Sequence, residues 1–88
     1  MSDPAETLDL RRKRLRYRSW HRGCKETDVI LGNYADQRLH CLDSAGLDRY
    51  EALLEEEDAD IWAWLTGQNG PAPEMYRSLI AELLEYKP

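Results

Sequence analysis

Pro73-Glu74-Met75-Tyr76-Arg77-Ser78-Leu79-Ile80-Ala81-Glu82-Leu83-Leu84-Glu85-Tyr86 places its apolar residues at Met75, Tyr76, Leu79, Ile80, Leu83 and Leu84, three and four positions apart. That period belongs to an amphipathic helix with one buried face. Pro73 suits the first helical position, where a missing N–H goes unnoticed. A half-buried strand needs strict alternation instead. No stretch of the chain alternates for long, Phe is absent, and Leu, Ala, Glu and Arg dominate.

Reading outward from this segment gives four more helices. Gln68-Asn69-Gly70-Pro71-Ala72-Pro73 is a loop by composition. Before it, Asp58 is expected to cap a short helix from Ala59 to Thr66 that carries Ile61, Trp62, Trp64 and Leu65 and stops at Gly67. Ser44 is the expected N-cap of a helix running from Ser44 or Ala45 to Glu56, which buries Leu47, Tyr50, Leu53 and Leu54. A helix from about Lys25 to Leu39 repeats Ile30, Leu31, Tyr34, Ala35 and Leu39 at helical spacing. Glu26 and Asp28 in its first turn face the positive helix end. The first helix spans about Glu6 to Arg22, with stripes of Leu8 and Leu15 and of Leu10, Tyr17 and Trp20. Gly23 then supplies a left-handed stop. The expectation is an all-α, compact five-helix bundle forming one domain over residues 1–88, with residues 1–7 flexible. Its core should contain Leu53, Leu54, Ile61, Leu65, Leu79, Ile80 and Leu83.

A chain of 88 residues leaves room for one small domain and little for a large enzyme core. The longest apolar run, Ile61 to Leu65, is five residues, far below the roughly 20 that a membrane span requires. Met1-Ser2-Asp3-Pro4-Ala5-Glu6 carries acid where a targeting peptide carries base. Cys24 and Cys41 are too few for a disulfide framework. These features lead to the expectation of a cytoplasmic protein.

Charge is segregated along the chain. Residues 1–25 hold eight basic and three acidic side chains, whereas residues 26–88 hold four basic and 14 acidic ones. Such asymmetry marks either a surface that meets a charged partner or two parts of one fold that face each other. The segment Arg11-Arg12-Lys13-Arg14-Leu15-Arg16-Tyr17-Arg18-Ser19-Trp20-His21-Arg22 mixes guanidinium groups with aromatics, as nucleic-acid binders do. The net charge of −5 opposes phosphate binding, and a protein-docking surface is the favoured reading. His21-x-x-Cys24 and His40-Cys41 look like two halves of a zinc site, but adjacent residues at a helix end point poorly at one ion. There is no phosphate-binding glycine loop, nucleophile elbow or two-histidine metalloprotease helix, so no catalytic residue and no metal ligand is assigned. Trp62 and Trp64, aromatic residues on a short helix, read as core rather than as a ligand cage.

Two segments carry more information together. The first is Arg22-Gly23-Cys24-Lys25-Glu26-Thr27-Asp28, following the arginine-rich helix, and the second is Asp58-x-Asp60-Ile61-Trp62-x-Trp64-Leu65. With this Arg-Gly-x-x-Glu signature, the chain resembles the small assembly-factor family that promotes covalent FAD attachment to the flavoprotein subunit of succinate dehydrogenase. The resemblance runs from about Leu10 to Leu84. It implies a five-helix bundle that is no enzyme but a dedicated chaperone, binding the apo- or FAD-loaded flavoprotein and favouring the histidyl–flavin bond. It places partner-binding residues at Arg22, Gly23 and Glu26, with Asp28 following, and gives Cys24 and Lys25 no role. It implies no stably bound cofactor and action on the FAD of the partner; separately, the chain is expected to be a monomer that neither enters membranes nor binds nucleic acid. Service to fumarate reductase stays open, and the rival reading is a charged-surface or nucleic-acid adaptor using the arginine helix.

Overall fold

The computed structural model describes residues 6–68 and 70–87, which form five α-helices. They are α1 (Leu8–Trp20), α2 (Lys25–Arg38), α3 (Ser44–Leu54), α4 (Asp58–Thr66) and α5 (Glu74–Leu84), with a 3-10 turn, Leu39–Cys41, closing α2. Of the segment expected to be flexible, residues 1–5 lie outside the described residues. Thr7 is the N-cap of α1, its hydroxyl accepting from the Leu10 amide at 3.2 Å, and Glu6 pairs with Arg14.

The helix ends differ in detail from those expected. Asp43, not Ser44, caps α3, its carboxylate accepting from the Gly46 amide at 2.8 Å, so Ser44 is already inside the helix. Asp58 is the first residue of α4 rather than its cap, because its carboxylate is engaged by Arg22. Pro73 precedes α5 with ψ 146°, an extended conformation, and its carbonyl accepts from the Tyr76 amide. Gly67 ends α4 in the left-handed conformation, φ 72°, as its sequence position suggested.

α1 packs on α2 and α3, and α5 packs on α2, α3 and α4. Between them lie Leu15, Leu31, Leu47, Tyr50, Leu53, Ile61 and Leu83, all without solvent exposure. All seven expected core residues are buried. Their burial supplies most of the drive to fold, at roughly 25 cal/mol per Å² of apolar surface. A radius of gyration of 12.4 Å matches one closely packed body of this length.

Of the apolar stripes read on α1, Leu15 alone lies on its buried face. Leu8, Leu10 and Tyr17 are exposed, and the residues turned inward are Arg11, Leu15 and Ser19, four apart. Met75 and Leu84 of α5 are likewise exposed. Two buried polar groups join three helices: the Ser19 and Tyr50 hydroxyls lie 2.5 Å apart, Ser19 donates to the Leu15 carbonyl, and Tyr50 reaches the Leu31 carbonyl. Burial pushes the Tyr50 phenol well above its ordinary value, so it stays protonated and able to donate. Trp20 lies over Gly32, where a β-carbon would overlap the indole ring.

Candidate partner-binding site

α1 ends at Trp20, two residues earlier than its composition suggests, and the chain turns through Arg22 and Gly23 into α2. Gly23 has φ 106°, a conformation that disfavours any side chain. The Asp28 carboxylate reaches back over this turn, accepting from the Arg22 amide at 3.2 Å and the Gly23 amide at 3.3 Å. Asp28 therefore fixes the turn.

Arg22 crosses to the other side of the fold. Its Nε donates to Asp58 at 2.7 Å, one terminal nitrogen to the Leu54 carbonyl, and the other to the Glu56 carbonyl at 2.7 Å. The two carbonyls belong to the last turn of α3 and the link beyond it, groups that a helix leaves unsatisfied. With 12 % of its side chain exposed, Arg22 acts as an internal clamp between α1, α3 and α4. It also joins the two sequence segments, since Arg22 lies in the first and Asp58 opens the second. Of the four residues singled out from sequence, Arg22 and Asp28 spend their polar groups inside the chain, whereas Gly23 and Glu26 are exposed.

Glu26 stands in the first turn of α2. The Cys24 thiol, 3.8 Å away, donates weakly to it, and buried Thr27 donates to the Cys24 sulfur at 3.4 Å. Beside Glu26 runs an open groove of about 390 Å³ lined by Lys25, Val29, Ile30, Trp62 and Lys87. Trp62, expected in the core, is half-buried, packed against the core on one side and facing this groove on the other. Its place in the second segment was the available signal, but only the docking of α4 on α2 brings it near Glu26.

The arginine-rich helix faces the acidic part of its own chain. Arg11 pairs with Asp48 and Glu51, Arg14 with Glu6 and Glu51, Arg16 with Asp36 and Arg18 with Glu55. Arg12 pairs with Asp9 and donates to the Leu39 and Leu42 carbonyls. Burial opposes ionisation of Glu51, yet hydrogen bonds from Arg14 and Arg11 outweigh it and hold the carboxyl below the usual range. The charge asymmetry is thus neutralised largely within the fold: Arg11 and Glu51 form a buried seam between α1 and α3, while Arg16 pairs with Asp36 at the surface. Guanidinium groups engaged in this way are poorly placed to bind phosphates, which removes support from the nucleic-acid adaptor.

His21 stacks on Tyr17 at 4.1 Å, with Nδ1 2.8 Å from the Tyr17 carbonyl oxygen. Among the described residues no three His, Cys, Asp or Glu side chains converge as metal ligands, and no helix is long and apolar enough to cross a membrane.

The chain is similar to proteins named succinate dehydrogenase assembly factor 2, mitochondrial. It is 40% identical over 75 residues to that of Candida glabrata, covering 83% of this chain and 49% of the relative. To that of Danio rerio it is 37% identical over 82 residues, covering 91% and 51%. To that of Schizosaccharomyces pombe it is 39% identical over 83 residues, covering 92% and 59%. The chain thus spans about half the length of the curated relatives it matches. Their names overturn the expected cytoplasmic placement, since each is described as mitochondrial. Composition and the lack of a long apolar run speak to membrane insertion and carry no information about compartment. The family described as flavinator of succinate dehydrogenase matches residues 13–87, from the middle of α1 through the Arg22–Asp28 turn to the end of the described chain. The chain belongs to the flavinator of succinate dehydrogenase family.

Proposed function

We propose that this chain promotes covalent attachment of FAD to the flavoprotein subunit of succinate dehydrogenase, acting as a monomeric chaperone and not as an enzyme. The family match over residues 13–87 carries the reading. The internal pairing of the α1 arginines supports a protein partner over nucleic acid.

Flavinylation needs a bound flavin and a histidine held in bonding geometry, demands that a clamp on the flavoprotein meets by favouring one arrangement of its parts. The groove beside Glu26 holds about 390 Å³ and has an apolar floor without a phosphate-binding glycine loop, a poor match to a dinucleotide. Flavin chemistry accordingly belongs to the partner. On this reading Gly23 and Glu26 touch the flavoprotein. Gly23 lets the two backbones approach closely, and Glu26 accepts from a donor across the interface. Arg22 and Asp28 hold those two residues in place.

The test uses cells whose only copy of this protein carries Glu26→Ala or Gly23→Arg. Both variants should remain folded by circular dichroism, while the denatured flavoprotein loses its in-gel flavin fluorescence. Normal covalent flavin in a strain lacking the protein altogether removes the proposed function.

A further inference from the structure

We infer that the groove between α2 and α4 is part of the docking surface and receives an apolar side chain of the flavoprotein that is flanked by carboxylates. This rests on the function proposed above and specifies where and how the partner is held. The groove floor is Val29, Ile30 and Trp62, and it begins at Glu26, so it continues the exposed edge of the Arg22–Asp28 turn. Half-buried tryptophan beside an open apolar trough is the residue type that most often anchors an interface.

Charge identifies the occupant. In a chain of net charge −5, all six arginines between Arg11 and Arg22 are paired with acids of the same chain. Lys25 and Lys87, by contrast, line this groove and have no ion pair or hydrogen-bonded side-chain partner among the described residues. Two ammonium groups without a partner among the described residues, beside an apolar floor, suit a segment whose apolar residue enters the groove while neighbouring carboxylates meet the lysines. Arg22 supports this surface from behind: by holding Asp58, it anchors the start of the helix that carries Trp62.

The experiment titrates the purified flavoprotein subunit of succinate dehydrogenase with the full chain and with its variants. Lys25→Glu and Lys87→Glu together should weaken binding about tenfold or more and change its dependence on added salt, since interfacial charges govern both. Val29→Arg, which fills the floor without touching the lysines, should weaken binding similarly while circular dichroism stays native. Lys13→Glu, a single lysine reversal on α1 away from the groove, should bind as the unaltered chain does. Undiminished binding by both the lysine double variant and Val29→Arg overturns the groove assignment and leaves the proposed function standing. Failure of the unaltered chain to bind the flavoprotein overturns both. Equilibrium sedimentation that shows a dimer abolished by the lysine double variant assigns the face to a second copy of this chain and overturns the proposal as well.

Discussion

Gly32 and Gly23 show two different reasons for a glycine in a small helical protein. At Gly23 the constraint is the backbone, with φ 106° and open space where a β-carbon would project, so a replacement strains the turn without a clash. At Gly32 the backbone is ordinary helix and the constraint is Trp20, whose indole occupies the place an added β-carbon would take. Gly32→Ala should therefore destabilise the fold by about 1 to 3 kcal/mol through overpacking, despite the better helix propensity of alanine. Thermal melting checks the sign: a gain in stability would show that the indole moves aside freely. Arg22 makes the same point for a charged residue. Its place in a short signature suggested an outward contact, but its guanidinium closes the end of α3 and binds the start of α4.

At the scale of elements, the seam between α1 and α3 is the feature whose chemistry pH can reverse. Glu51 is shared by Arg11 and Arg14, and Glu6, whose carboxyl the Arg14 hydrogen bond holds below the usual range, completes the cluster. A carboxyl with a lowered folded-state pKa contributes stability that is complete above its unfolded value, about 4.3, and is lost as pH falls through the folded value. Glu51→Gln should cost about 2 to 3 kcal/mol at pH 7, because two partly buried guanidinium groups lose their shared anion. The gap between variant and parent should then narrow on acidification below about pH 4. Denaturant melts at pH 7, 5 and 3 measure it, and a gap independent of pH would show that the ion cluster contributes nothing to the fold. Helix boundaries were less legible than helix existence. Asp43 and Ser44 are adjacent, equally able caps, and the chain path out of the Leu39–Cys41 turn selects Asp43. On α5 the expected end at Tyr86 moves to Leu84, leaving the Tyr86 ring edge-on against Tyr34 at 5.5 Å.

Across the whole molecule, one apolar core ties all five helices together, so a single large deletion within it should be felt everywhere. Leu53→Ala removes buried methyl groups from a residue with no exposure and should cost about 2 to 5 kcal/mol, much of the roughly 5 to 15 kcal/mol that stabilises a natural domain. Chemical denaturation should show a lowered midpoint with one cooperative transition; an unchanged midpoint would mean the core is not shared. Helix number, the seven expected core residues and the Arg-Gly-x-x-Glu signature were legible from residue order, because hydrophobic period, glycine stops and short motifs are local properties of a chain. Which face of α1 is buried was legible only at Leu15. Leu8, Leu10 and Tyr17 lie outside while Arg11 lies inside, since the acidic face of α3 makes burial of an arginine favourable there. Nor could residue order show that Arg22 grips Asp58 or that Trp62 borders Glu26. Those pairs are separated by more than thirty positions, and only the packing of α4 against α2 and α5 converts that separation into contact, because a side chain's partners are decided by where the helices dock.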